Sequence, residues 1–125
     1  MKIQHVITVF FVAALMSAAA HAGEVRKGAF EGESRHQTSG HVTLSGDANQ
    51  ATLTLESDFR FDGAPDPKLA LGNNGFDKKT LFTKLKSNSG AQVYRLPPGI
   101  DPAKYNEVWV WCETYDVPLG KAKLR

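Results

Sequence analysis

From Gly28 onward, runs of alternating apolar and polar residues are cut by glycine, asparagine, aspartate and proline at intervals of about 8–12 residues. Alternation of period two places successive side chains on opposite faces of a strand, so each run predicts a strand with one buried and one wet face. Phe30 marks a first strand. His41 to Leu44 and Ala51 to Glu56 flank the turn-forming Gly46-Asp47-Ala48-Asn49 and predict a hairpin, with Val42 and Leu44 sharing one face, as do Leu53 and Leu55. Phe59 and Phe61 extend the alternation, and Leu69 to Leu71 forms a short run ahead of the turn Gly72 to Gly75. Leu81 to Lys86 and Ala91 to Leu96 flank Ser87-Asn88-Ser89-Gly90, predicting a second hairpin. Pro97-Pro98-Gly99 ends that strand, and Ile100 to Tyr105 has room for one helical turn. Val108 to Cys112 is apolar on both faces, with Val108, Val110 and Cys112 on one and Trp109 and Trp111 on the other. That is the pattern of a central strand covered on both sides. Val117 to Leu124 is expected to close the sheet. No stretch carries an apolar stripe of period 3.6, so the expected fold is all-β, a single small sandwich or barrel-like domain of about seven to nine short strands.

The first 22 residues have a different character. Lys2 precedes an apolar run from Val6 to Met16 broken only by Thr8, and small residues lead to Ala20-His21-Ala22, an A-x-A cleavage pattern. The run falls short of the roughly 20 residues a membrane span needs. Residues 1–22 are therefore expected to be a cleaved signal peptide and residues 23–125 an exported domain, periplasmic or secreted. Gly23, not a cysteine, stands immediately after the cleavage site, so no lipid anchor is indicated, and no membrane anchor is expected after cleavage. The chain carries 15 Lys and Arg against 13 Asp and Glu, a net charge of +2. A domain so near neutrality has no overall electrostatic footprint for nucleic acid and little for an anionic membrane. At about 100 residues it can bury roughly two-thirds of its unfolded surface, enough for one core without disulfides.

The chain's single cysteine, Cys112, excludes an intrachain disulfide, a CxxC redox pair, a cysteine-only zinc or iron–sulfur site and CxxCH haem attachment. Two uses remain. A redox thiol, or a thiolate ligand to haem or a transition metal, needs a lowered pKa and some exposure. The alternative is a small buried hydrophobe in a central strand. The neighbouring residues favour burial and Glu113 opposes ionisation, yet an unpaired thiol is a liability in an oxidising compartment. His36 and His41 could join Cys112 in a copper or zinc site, although five residues spanning Gly40 is not a ligand spacing, and alternation turns His41 toward solvent. Trp109, Trp111, Tyr94, Tyr105 and Tyr115 could relay electrons or stack on a planar ligand; core packing is the commoner use of such side chains and is the expectation here. Asp58, Asp62 and Asp66 lack the spacing of a calcium loop and read as solvated. Neither histidine lies in a nucleophile motif, so hydrolase chemistry is not indicated and no catalytic activity of the domain's own is expected.

Four blocks in order carry a family resemblance: Gly28-Ala29-Phe30-Glu31-Gly32 with His36 and Gly40; Ser57-Asp58-Phe59 leading to Gly63-Ala64-Pro65-Asp66-Pro67; Leu85-Lys86 and Gly90-Ala91-Gln92-Val93-Tyr94; and Tyr105, Val108-Trp109-Val110-Trp111-Cys112 and Tyr115, with Gly120 and Ala122. On these residues the chain resembles the DM-thirteen domain, also called the electron-transfer DM domain and often found beside DOMON modules. The resemblance implies an all-β domain with a redox or electron-transfer role centred on Cys112, with His36 as a second participant and Trp109, Trp111 and Tyr94 as aromatic neighbours. It implies a redox partner protein and allows haem or a transition metal as cofactor without requiring either. The competing reading is a non-catalytic extracytoplasmic binding module for a sugar, small ligand or surface protein, its cysteine merely buried.

Overall fold

The structure is a computed structural model describing residues 24–125, so the expected signal peptide lies outside the described residues. Ten strands follow one another: β1 (Arg26–Gly32), β2 (Thr38–Ser39), β3 (His41–Gly46), β4 (Ala51–Leu55), β5 (Arg60–Phe61), β6 (Pro67–Gly72), β7 (Thr83–Lys84), β8 (Gln92–Arg95), β9 (Glu107–Cys112) and β10 (Val117–Lys123). Among the described residues the helices are two single 3-10 turns, Lys78–Thr80 and Pro102–Lys104. The second occupies the place expected of a helical turn, and Asp101 caps it by accepting from the Ala103 amide.

Eight strands form one antiparallel sheet in the order β7-β6-β9-β10-β1-β3-β4-β8, while β2 and β5 pair separately. The sheet curls into a half-barrel around its own apolar face. Phe30, Val42, Leu44, Leu53, Leu55, Leu69, Leu71, Val108 and Val110 line the inside, and Phe59, Phe61, Leu85 and Leu96 fill it from loops and short strands. Each fully buried leucine or valine contributes about 1.5–3 kcal/mol relative to exposure, so closure of the inner face holds the curl.

The first predicted hairpin forms, with Gly46 opposite Ala51. Gly46 adopts a φ of +108°, which a side chain would resist, and Asp47 Oδ1 accepts from the amides of Asn49 and Gln50 at 2.9 and 3.0 Å. The second predicted hairpin does not form. β7 pairs with β6 and β8 with β4, so the two runs flanking residues 87–90 end at opposite edges of the sheet. Side-chain bonds connect them instead: Gln92 Nε2 donates to the Ser87 carbonyl at 2.9 Å, and the Tyr94 hydroxyl accepts from the Lys86 amide at 2.9 Å. β10 also departs from expectation. It lies inside the sheet between β9 and β1 rather than closing it. A register shift at Pro118/Gly120 leaves the Leu119 carbonyl to accept from Thr38 Oγ1 at 2.8 Å and from the Glu33 amide at 3.1 Å. β9 is central as predicted, hydrogen-bonded to β6 and β10 and buried at five of its six positions.

Candidate functional site

Cys112 is the last residue of β9, opposite Pro67 on β6 and Val117 on β10. Its side chain is 1% exposed and belongs to the core cluster with Val108 and Val110. The exposed turn 113–116 follows it directly and is pinned from three sides. Asp66 Oδ2 accepts from the Thr114 amide and hydroxyl at 2.9 and 2.8 Å, and these bonds hold the Asp66 carboxyl below its ordinary pKa. Lys68 Nζ donates to Glu113 at 2.5 Å, which raises the lysine pKa. Trp111 Nε1 donates to Asp116 at 3.1 Å, where the backbone has a φ of 53°. Glu113, suspected of opposing thiol ionisation, is thus spent on Lys68.

The two histidines are held in parallel ways. His36 Nδ1 lies 2.8 Å from Asp62 Oδ1, and Asp62 Oδ2 accepts from the Gln37 amide at 2.9 Å. The His36 ring also rests against Phe61. His41 Nδ1 lies 2.5 Å from Asp58 Oδ2, and Asp58 Oδ1 accepts from the His41 amide at 2.9 Å. Asp58 is lowered chiefly by the His41 side chain and Asp62 chiefly by the Gln37 amide. Asp58 and Asp62 are solvated, as expected, and Asp66 is half-buried; all three also act as clamps that fasten loops to neighbouring strands. Among the described residues no three His, Cys, Asp or Glu side chains converge on one point. The donor set therefore does not fit a resident metal shared by Cys112, His36 and His41.

The aromatic residues separate into two groups. Tyr94 is in the core, its hydroxyl donating to Gln92, and burial raises its pKa. Trp109 is buried, 8% exposed, in keeping with the packing expected of it, and Trp111 is half-buried; both stand on the outer face of the sheet, opposite Cys112 and outside the main core cluster. There Phe76 stacks on Trp111 at 3.6 Å with an interplanar angle of 3°, and Trp109 meets both rings edge-on. Phe76 reaches this position because the turn after β6 folds back in a bridge between Gly72 and Phe76. Gly72 is required there, since a Cβ would collide with the Gly75 carbonyl and come within 2.5 Å of Trp109 Nε1. The buried Glu107 carboxylate braces the same turn, accepting from the Gly75 amide at 2.7 Å. Sequence reasoning missed Phe76 and Glu107, whose only local signal was the adjacent glycine-rich turn. Tyr105 is half-buried against Asp77, and Tyr115 is exposed.

A strand ending in one buried thiol, backed by an outer aromatic stack, runs through the centre of a sheet that a single family model spans: electron transfer DM13, matching residues 29–124. The chain belongs to the electron transfer DM13 family. No curated protein and no solved structure matches it. Within this DM13 domain the match begins in β1 and ends just after β10, so it covers the half-barrel and the loops that carry Cys112, His36 and the aspartate clamps. No helix among the described residues is long and apolar enough to cross a membrane.

Proposed function

We propose that this DM13 domain is an exported electron-transfer domain whose redox group is the Cys112 thiol, exchanging electrons with a partner protein. The observation that carries the reading is the family match around a chain whose one cysteine ends its central strand. Burial of Sγ counts against free reaction with solvent oxidants, and this suits a thiol that must be neither scavenged nor cross-linked outside the cell. The cover is local. Opening the turn 113–116 requires release of the Asp66–Thr114, Lys68–Glu113 and Trp111–Asp116 bonds, without parting β9 from β6 and β10. His36 is proposed as a positioning residue that holds loop 33–37 through Asp62, not as a ligand to a metal or haem shared with Cys112.

The test is incubation of the native chain with oxidised glutathione, followed over time by intact-mass measurement. The Cys112 thiolate attacks the disulfide, one glutathione leaves as its thiol, and the chain gains one glutathionyl group. Wild type is expected to gain it slowly yet faster than global unfolding allows, and Cys112→Ala, verified as folded by circular dichroism, to gain none. A wild-type rate no faster than global unfolding overturns the reading.

A further inference from the structure

On the outer face of the sheet, β1 and β10 enclose an open groove of about 450 Å³ whose floor is the small side chain of Ala29. Its walls are basic: Lys121, Lys123 and Arg125 from β10 and its end, and Lys27 across from Arg125. Among the described residues none of these four cations forms an ion pair. Lys27 and Arg125 exchange both backbone hydrogen bonds, so two like charges stand directly opposite each other, an arrangement that destabilises a sheet. A nearly neutral domain thus gathers four cations on one face, two of them like charges opposite each other, with Lys121 and Lys123 across from Glu31 and Glu107.

We infer that this groove is a docking site for an extended acidic polypeptide segment of a partner protein, with Asp or Glu at alternate positions. The spacing selects this occupant. Lys121, Lys123 and Arg125 follow one another at two-residue intervals, so their side chains recur about every 6.7 Å, the repeat of same-side residues in any extended chain. Carboxylates at alternate positions of such a segment meet the cations in register, whereas contiguous ones place half of their charges on the far side. The Lys121 ammonium, 5.4 Å from the Trp109 ring centroid, is held in place by a cation–π contact. Glu31, opposite Lys121, offsets the positive charge at that end of the groove and sets a direction for the bound segment. The inference does not rest on the redox reading, because the groove and Cys112 face opposite sides of the sheet.

The experiment is fluorescence anisotropy on the full chain with a labelled ten-residue peptide of alternating Glu and Thr. Competitors are its isomer with contiguous glutamates, a heparin-derived oligosaccharide and inorganic phosphate. The alternating peptide is expected to bind about fivefold tighter than its isomer and to weaken as salt rises. Lys123→Glu is expected to weaken it about tenfold, Lys27→Gln to weaken it less, and Lys79→Glu, on an exposed turn away from the groove, to leave it unchanged. Lys123→Glu also sets a second carboxylate opposite the buried Glu107, so Lys27→Gln, which removes the like charge facing Arg125 and is expected to unfold at no lower temperature than wild type, is the deciding variant if Lys123→Glu does not fold. Equal affinity for the two isomers, binding indifferent to both groove variants, or preference for the oligosaccharide or for phosphate overturns the proposal.

Discussion

The Cys112 thiol packs in the core cluster on the inner face of β9, and among the described residues it makes no side-chain hydrogen bond. Substitution by serine keeps the volume but buries a hydroxyl, so Cys112→Ser is expected to cost about 1–3 kcal/mol, with Cys112→Ala costing no more than serine does; urea unfolding measures both. A polar disulfide reagent is expected to label native Cys112 far more slowly than the unfolded chain. Gly72 depends on space and not on backbone sign. Gly72→Ala drives a methyl into the Gly75 carbonyl and Trp109 Nε1, with an expected loss of about 1–3 kcal/mol and altered tryptophan emission.

At the level of elements, the turn 113–116 and the loop carrying Asp58, Asp62 and Asp66 are fastened by exposed carboxylates with lowered pKa values. A carboxyl whose folded pKa lies below its unfolded value stabilises the fold above the ordinary value of about 3.9. That stabilisation disappears as pH falls through the lowered folded values. Thermal unfolding between pH 6 and pH 2.5 is therefore expected to show an acid-side decline that becomes shallower in Asp58→Asn and Asp66→Asn. Asp66→Ala has a second readout: labelling of Cys112 is expected to accelerate by more than the loss of global stability explains. On the opposite face, Phe76→Ala removes the ring stacked on Trp111. Emission is expected to shift to longer wavelength, with a cost of about 0.5–1.5 kcal/mol beyond the area lost. The 42–55 hairpin was readable from residues alone, because Val42, Leu44, Leu53 and Leu55 share one face and Gly46-Asp47 supplies the turn. The runs on either side of residues 87–90 carried an equally plain turn signal, yet β8 pairs with β4, where its residues complete the inner face.

For the whole molecule, one sheet curled on itself has two edges, and both are weak templates for another chain. β7 contributes two residues, and β8 contributes four before Pro97-Pro98. Amide exchange is expected to be slowest in β9, β10 and β1, which are bonded on both sides, and fastest in β7 and in the β2–β5 pair. Slow exchange at β7 matching that of β9 would contradict this ordering. The two faces of the half-barrel also divide the chemistry, with the thiol inside and the aromatic stack and basic groove outside.

The sequence by itself determined the all-β class, the strand positions set by period two, the hairpin at Gly46-Asp47, the centrality of Val108 to Cys112 and the family to which these residues belong. Those features depend on local backbone preference and on which side chains share a face. Only the tertiary structure decided the burial of Cys112, the outward placement of Trp109 and Trp111, and the gathering of Lys27 with Lys121, Lys123 and Arg125. A strand apolar on both faces does not say which face is the core. That answer comes from Phe76, more than thirty positions away, covering one face while the curled sheet closes over the other. β1 meets β10 across nearly the whole chain, and such a pairing is selected by the total apolar area it buries, a quantity no local window of sequence contains.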